Sequence, residues 1–281
     1  VKGSPVNKLG LDHYDDLINF CISQGITPMV TLHHFDTPLR YVQSSKPNNT
    51  FKQIYGGFDN ETFVEDFVNY GKIVLTHFSD RVSTWVTFNQ PFSVVGNPVG
   101  AKHALQAHAQ LYKFYHQELK ATGKMGIKFS AGTAFPFDPS NKTDVEAAQR
   151  YQALTIESFA LPLSIGKQQP DIYRQIFSGS PGLLTDDEVS EVAHTLDFFG
   201  IDPYVYFTAT AGNIDVEQCL KNSSNSAWPY CLQQLTYQKD GWAVGDKGEG
   251  RFGTTPVHIR SIFNYLWDTF QVPIIVTEFG L

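Results

Sequence analysis

No stretch of this sequence approaches the roughly 20 consecutive apolar residues that a membrane-spanning helix needs, and nowhere do lysines and arginines form a run. With 21 Lys and Arg against 28 Asp and Glu, the formal net charge is −7, which argues against nucleic acid and anionic membranes as partners. No glycine-rich phosphate turn follows any strand-like run, so the usual mark of a dinucleotide-binding sheet is missing, and nothing calls for a cofactor. Cysteine is scarce, with three residues. Cys219 and Cys231 bracket a polar segment rich in Asn and Ser and are expected to close a surface loop as a disulfide. Cys21 is then left as a buried thiol within a helical pattern. His33, His34 and Asp36 stand close in sequence, but adjacent residues of a strand project in opposite directions, so no metal site is expected. Oligomeric state cannot be read from these features.

The apolar fraction of 42% and charged fraction of 17% are those of a globular protein, and the 281 residues are expected to fold as a single domain. Aromatic residues make up 14% of the chain; a large core and sugar-stacking platforms both account for such rings. The glycosylation pattern Asn-x-Ser/Thr occurs at Asn48, Asn60, Asn141 and Asn222, in stretches that read as loops or element edges. Together with the expected disulfide, these sequons lead us to expect a secreted, extracellular glycoprotein. No signal peptide stands at Val1, but a mature or truncated chain would lack it anyway.

Strand-like runs occur at Ile26 to Leu32, Val82 to Phe88, Met125 to Ala131, Leu196 to Ile201 and Val272 to Thr277. They are short and apolar on both faces, as strands of a helix-covered parallel sheet should be. Between them lie helical patterns. Tyr14, Leu17, Ile18 and Cys21 recur at three- and four-residue steps, as do Phe63, Phe67, Tyr70 and Val74. Further helices fit His103 to Lys120, Asp144 to Phe159, a short one from Thr185, and Val257 to Phe270. Thr185 and Glu188 form a capping-box pattern. Residues 212–250 read as a long loop insertion carrying the disulfide.

Alternating strands and helices mean a parallel α/β fold. The reactive-looking residues follow the strands directly: His33, His34 and Asp36; Asn89 and Gln90; Asp202 and Tyr204; Glu278. That placement favours a (β/α)8 TIM barrel, whose active site forms at the C-terminal strand ends. Only five strand-like runs are present where a barrel needs eight, and five parallel strands would leave two unpaired edges. The sequence is therefore expected to be the middle of a longer polypeptide, truncated at both ends.

Four segments carry a family resemblance. Val30-Thr31-Leu32-His33-His34-Phe35-Asp36-Thr37-Pro38 resembles the third-strand motif of glycoside hydrolase family 1, the β-glucosidases. The stretch from Asp80 to Pro91, ending Thr87-Phe88-Asn89-Gln90-Pro91, resembles the fourth, which ordinarily reads Asn-Glu-Pro. Asp197 to Tyr204 is similar to the sixth, and Val276-Thr277-Glu278-Phe279-Gly280 to the seventh. The motifs occur in family order over essentially the whole chain, which would place here the third to seventh βα units. The Cys219 to Cys231 insertion looks like the glycosylated loop of secreted fungal members.

The resemblance implies a retaining β-glycosidase that removes terminal β-D-glucosyl residues from a β-glucoside or oligosaccharide. Such chemistry takes two carboxyl groups about 5–5.5 Å apart, one attacking the anomeric carbon and one protonating the departing oxygen. Glu278 matches the nucleophile. Tyr204 would donate a hydrogen bond to it and hold it ionised. Asn89 would bond the sugar hydroxyl beside the reacting carbon, His34 another ring hydroxyl, and Asp202 would contribute a cleft contact. Trp228 and Trp242 lie in the long loop region, where a platform for the aglycone and ordinary loop packing are both open. Trp85, inside its strand, is expected to pack in the barrel wall.

The sequence also departs from the family pattern. Gln90 stands at the acid/base position, and an amide neither protonates a leaving group nor deprotonates water. Three readings follow: a substitution that traps bound substrate, a natural amide as in the thioglucoside-cleaving plant myrosinases, or a catalytically impaired sugar-binding protein. Asp202 stands where the family usually has asparagine, Pro203 where it often has tyrosine, and Phe279 replaces an asparagine. The family's first-strand glutamine, second-strand arginine and tryptophan-rich eighth-strand motif have no counterparts.

Overall fold

Runs that are apolar on both faces have to be covered on both faces, and here they line up side by side under a layer of helices. In a computed structural model describing residues 2–42, 57–91, 97–130, 133–204, 206–247, 253–254 and 256–279, they become β1 (Met29–His33), β2 (Thr84–Asn89), β3 (Lys124–Ser130), β4 (Phe198–Asp202) and β5 (Ile274–Val276). All five belong to one sheet, in chain order, and every adjacent pair is parallel. A doubly wound sheet reverses its strand order at a switch point; this one does not, as befits part of a barrel wall.

The main helices are α1 (Lys8–Ser23), α2 (Phe63–Phe78), α3 (Pro98–Lys113), α4 (Lys142–Gln152), α5 (Asp186–Val192) and α6 (Pro256–Phe270). α3 begins before the expected His103 because Asn97 caps it, its side chain accepting from Gly100 N at 3.1 Å, and Pro98 supplies a first residue that needs no partner for a backbone N–H. The helical path of α4 runs on through Ala153–Glu157 and Ser158–Ile165. The capping box at α5 forms in both directions: Glu188 N donates to Thr185 Oγ1 at 3.2 Å, and Thr185 N to Glu188 Oε2 at 2.9 Å.

Most aromatic rings sit between sheet and helices. Phe67 stacks on Phe88 with centroids 4.4 Å apart, and Phe199 lies between Phe129 at 4.7 Å and Phe270 at 5.6 Å. Trp85 is fully buried in the wall, its indole donating to Val82 O at 3.1 Å. α1 behaves differently from expectation. Of its apolar face only Ile18 is buried; Tyr14 and Leu17 are exposed, and Cys21 is a half-buried free thiol rather than a buried one. The strand that follows it, β1, pairs on one side alone among the described residues.

A smaller sheet of Ala134–Pro136, Phe207–Thr210 and Gln233–Leu235 follows β3 and β4. The loop beyond it carries the Cys219–Cys231 disulfide, with Cα atoms 5.8 Å apart and both residues buried. Arg150 holds this loop onto α4, donating to Tyr230 O at 2.7 Å and Cys231 O at 2.9 Å. Asn60, Asn141 and Asn222 are exposed; in each, the side-chain oxygen accepts from the backbone N–H two residues on. Asn48 lies outside the described residues.

Candidate active site

A parallel sheet in chain order brings all its strand C-termini to one edge, and that edge gathers the polar residues of this chain. His34 follows β1, Gln90 follows β2, Asp202 ends β4, Tyr204 stands two residues past it, and Glu278 stands two residues past β5. The end of β2 is shaped locally. Its register with β3 shifts between Val86 and Asn89, so that three steps on β2 oppose two on β3, a bulge of the kind that re-aims a side chain. Gln90 then takes φ of 50°, a left-handed conformation rarely adopted by a residue with a side chain. Its backbone N–H is fixed to Lys128 O at 2.7 Å.

Glu278 is the centre of the cluster. Its side chain is 28% exposed. Lys128 Nζ donates to Oε1 and Tyr204 OH to Oε2, while His34 Nε2 lies 4.0 Å from Oε1. Burial works against ionisation of this carboxyl, but the hydrogen bonds from Lys128 and Tyr204 outweigh it and hold the pKa below the ordinary glutamate value. The same bond acts reciprocally on the phenol: with the carboxylate as acceptor, and with some burial, Tyr204 is pushed up to about 12. Glu278 is therefore a carboxylate at neutral pH, with one face open.

Asp202 is fully buried. Gln90 Nε2 donates to its Oδ2 at 2.9 Å, Thr277 Oγ1 to its Oδ1 at 2.6 Å, and Lys128 Nζ lies 3.5 Å from Oδ2. Burial raises its pKa, opposed by the Thr277 and Gln90 bonds and by the Lys128 charge. Both Asp202 oxygens thus face protein donors, and the residue is buried. A chain of polar contacts runs from Gln90 through Asp202 and Lys128 to Glu278.

The other expected site residues divide. Asn89 is buried, and its Oδ1 has no hydrogen-bond partner among the described residues. His34 is about half exposed, whereas His33 turns into the Phe58, Phe67 and Phe88 rings; the two histidines project apart, and no metal-binding cluster of three ligands occurs among the described residues. Trp242 is 75% exposed, its backbone bonded to Gln238 and Asp240. Trp228 packs edge-on against Phe177 at 5.8 Å, which is loop packing. Lys128 is the residue that the sequence pattern hides, because it sits inside an apolar strand run. A lone lysine flanked by Gly126, Ile127 and Phe129 is itself a signal, since a buried ammonium demands an anionic partner.

A family model described as glycosyl hydrolase family 1 matches residues 2–281. β-Glucosidase 6 of Oryza sativa subsp. japonica is 29% identical over 98% of this chain and 56% of its own length. β-Glucosidase 1B of Phanerodontia chrysosporium is 28% identical over 99% of this chain and 53% of its own. Among solved structures, a rice β-glucosidase, a Glu-to-Gln variant in covalent complex with Glc, superposes with a TM-score of 0.83 at 28% identity, covering 99% of this chain and 62% of that one. The chain thus spans little more than half the length of these two curated relatives.

Proposed function

The chain belongs to glycosyl hydrolase family 1, and from that premise we propose that it forms the catalytic wall of a retaining β-glucosidase with Glu278 as nucleophile and Gln90 at the acid/base position. One observation carries the reading: an ionised, part-exposed carboxylate at the strand-end rim, aimed by Tyr204 and Lys128. In the first step a Glu278 oxygen bonds the anomeric carbon while the bond to the leaving oxygen breaks, the electron pair departing with the aglycone. In the second, a water oxygen bonds the anomeric carbon, the ester C–O bond breaks to restore the carboxylate, and the water's proton passes to solvent because Gln90 cannot take it. Gln90 donates a hydrogen bond but no proton, so aglycones that leave as stable anions react and others wait. The rice variant supports this picture, because a Glu-to-Gln change in that relative is compatible with a covalent complex with Glc.

The test is a fluorinated glucoside with an activated leaving group, followed by peptide mass mapping; the sugar is expected on Glu278, and its absence there would sink the reading. Activated aryl glucosides should give a burst of phenol and then stall. Gln90→Glu should raise turnover of unactivated glucosides by about 10²–10⁴-fold, the usual worth of general acid–base catalysis. The amide also favours a second reading, a sugar-binding protein without turnover, which predicts calorimetric glucose binding and no hydrolysis even in Gln90→Glu. Glucose release from a thioglucoside by the unaltered protein would instead assign a myrosinase-like thioglucosidase. The buried disulfide and the exposed asparagines of three sequons support a secreted glycoprotein, checked by a mass shift on enzymatic removal of N-glycans.

A further inference from the structure

Lys128 occupies a position that costs the fold dearly unless the charge is used. It lies in the middle of β3, is 4% exposed, and its register partner on β4 is Gly200. A Cβ at Gly200 would come within 3.1 Å of Lys128 Cβ, so the glycine leaves room beside the lysine stem. On its other side the backbone carbonyl of Lys128 fixes Gln90. The ammonium reaches the strand-end rim and meets two carboxylates there, bonding Glu278 and standing 3.5 Å from Asp202. One buried cation therefore serves two anions, and only one of these, Glu278, is exposed to a substrate.

We propose that Lys128 is a positioning residue that holds the Glu278 carboxylate ionised and aimed in the free enzyme, and transfers its ion pair to Asp202 while Glu278 is esterified. The inference rests on Glu278 being the nucleophile. When a Glu278 oxygen bonds the anomeric carbon, the leaving group takes the electron pair and the negative charge of Glu278 disappears. The ammonium would then be buried without a counter-ion, a costly state. Asp202, already within 3.5 Å, supplies the counter-charge. An amide at 202 has one acceptor oxygen where Gln90 and Thr277 now use two, so it would keep only one of these bonds, and it could not neutralise the ammonium. Displacement of the ester by water returns the charge to Glu278 and the pair to its first arrangement.

Among the described residues, the charged and titratable groups facing Glu278 are Lys128 from β3, Asp202 and Tyr204 from the end of β4, and His34 from the end of β1. Lys128→Met removes the one permanent cation among them. In the full protein, this variant is expected to form the glycosyl-enzyme from an activated aryl glucoside about 10²-fold more slowly, the usual cost of misplacing a reacting group, with the acid limb of the profile moved to higher pH. Lys128→Arg should restore both in large part. Asp202→Asn should lower the accumulated intermediate in the native background and have little effect once Lys128 is methionine. An independent readout needs no turnover: the Glu278 carboxyl followed by ¹³C NMR should titrate at higher pH in Lys128→Met. An unmoved NMR titration overturns the proposal even if Glu278 labels normally. Failure of Glu278 to label, with the titration moved as expected, rejects the nucleophile and the charge transfer together while leaving the ion pair standing.

Discussion

At the scale of single residues, two buried histidines define the acid side of the protein's stability. His108 is fully enclosed; its Nε2 faces Thr195 O at 2.7 Å, so it carries the proton and donates, and Nδ1 accepts from Thr87 Oγ1 at 2.7 Å. Burial lowers its pKa from 6.5 to about 4, and burial among aromatic rings does the same to His33. Both are therefore neutral in the fold, while the unfolded chain takes up protons near pH 6.5. Their contribution is complete above that pH and is lost as pH falls from 6.5 through 4, amounting to about 3 kcal/mol for each histidine. Urea unfolding between pH 8 and 4 should show a loss approaching two protons in slope, and His108→Gln should remove one of them. At this scale the sequence was legible where chemistry concentrates in motifs. Glu278, Tyr204 and Gln90 could be placed because they follow strands within two residues, but Lys128 could not, because hydrophobic patterning records where a residue sits and not what its tip touches. Asp202 was located at the end of its strand, but its burial was not legible, since that depends on Gln90, Lys128 and Thr277 from three other strands.

Among elements, the central sheet was readable because strands buried on both faces leave continuous runs of Val, Ile and Phe, as at Val82 to Phe88. The smaller sheet was not, because Ala134–Pro136, Phe207–Thr210 and Gln233–Leu235 are too short to show a period. The bulge in β2 was equally invisible: it is a property of pairing between β2 and β3 and leaves no mark in either strand alone. β4 offers the sharpest test of how elements shape the site. Gly200 faces Lys128 at a separation where an added methyl meets the lysine Cβ at 3.1 Å and Ile127 O at 3.2 Å. Gly200→Ala should thus destabilise by about 1–3 kcal/mol through overpacking, read from the shift in denaturation midpoint. An unchanged midpoint would mean that the strands separate freely there, and the tight seat assigned to the lysine stem would be lost.

For the whole molecule, the decisive feature is that the wall has two edges. β1 and β5 each have one hydrogen-bonded neighbour among the described residues, and apolar surface accumulates beside both: Leu9, Tyr14, Leu17, Phe20 and Met29 near β1, Trp267, Val276 and Phe279 near β5. Helix periodicity marked Tyr14 and Leu17 as one apolar face of α1, but periodicity reports that a face exists, not that anything covers it. Open parallel edges flanked by exposed apolar side chains are templates for association. Produced by itself, the 281-residue chain should bind a hydrophobic dye and sediment as larger species as its concentration rises. Leu17→Lys with Phe20→Lys should suppress that association while shifting unfolding by no more than about 0.5 kcal/mol, because both side chains lie on the surface. Sedimentation of the unaltered chain as a dye-silent monomer at every concentration would show that these edges are already covered within the 281 residues, and the wall would then have to be drawn as closed.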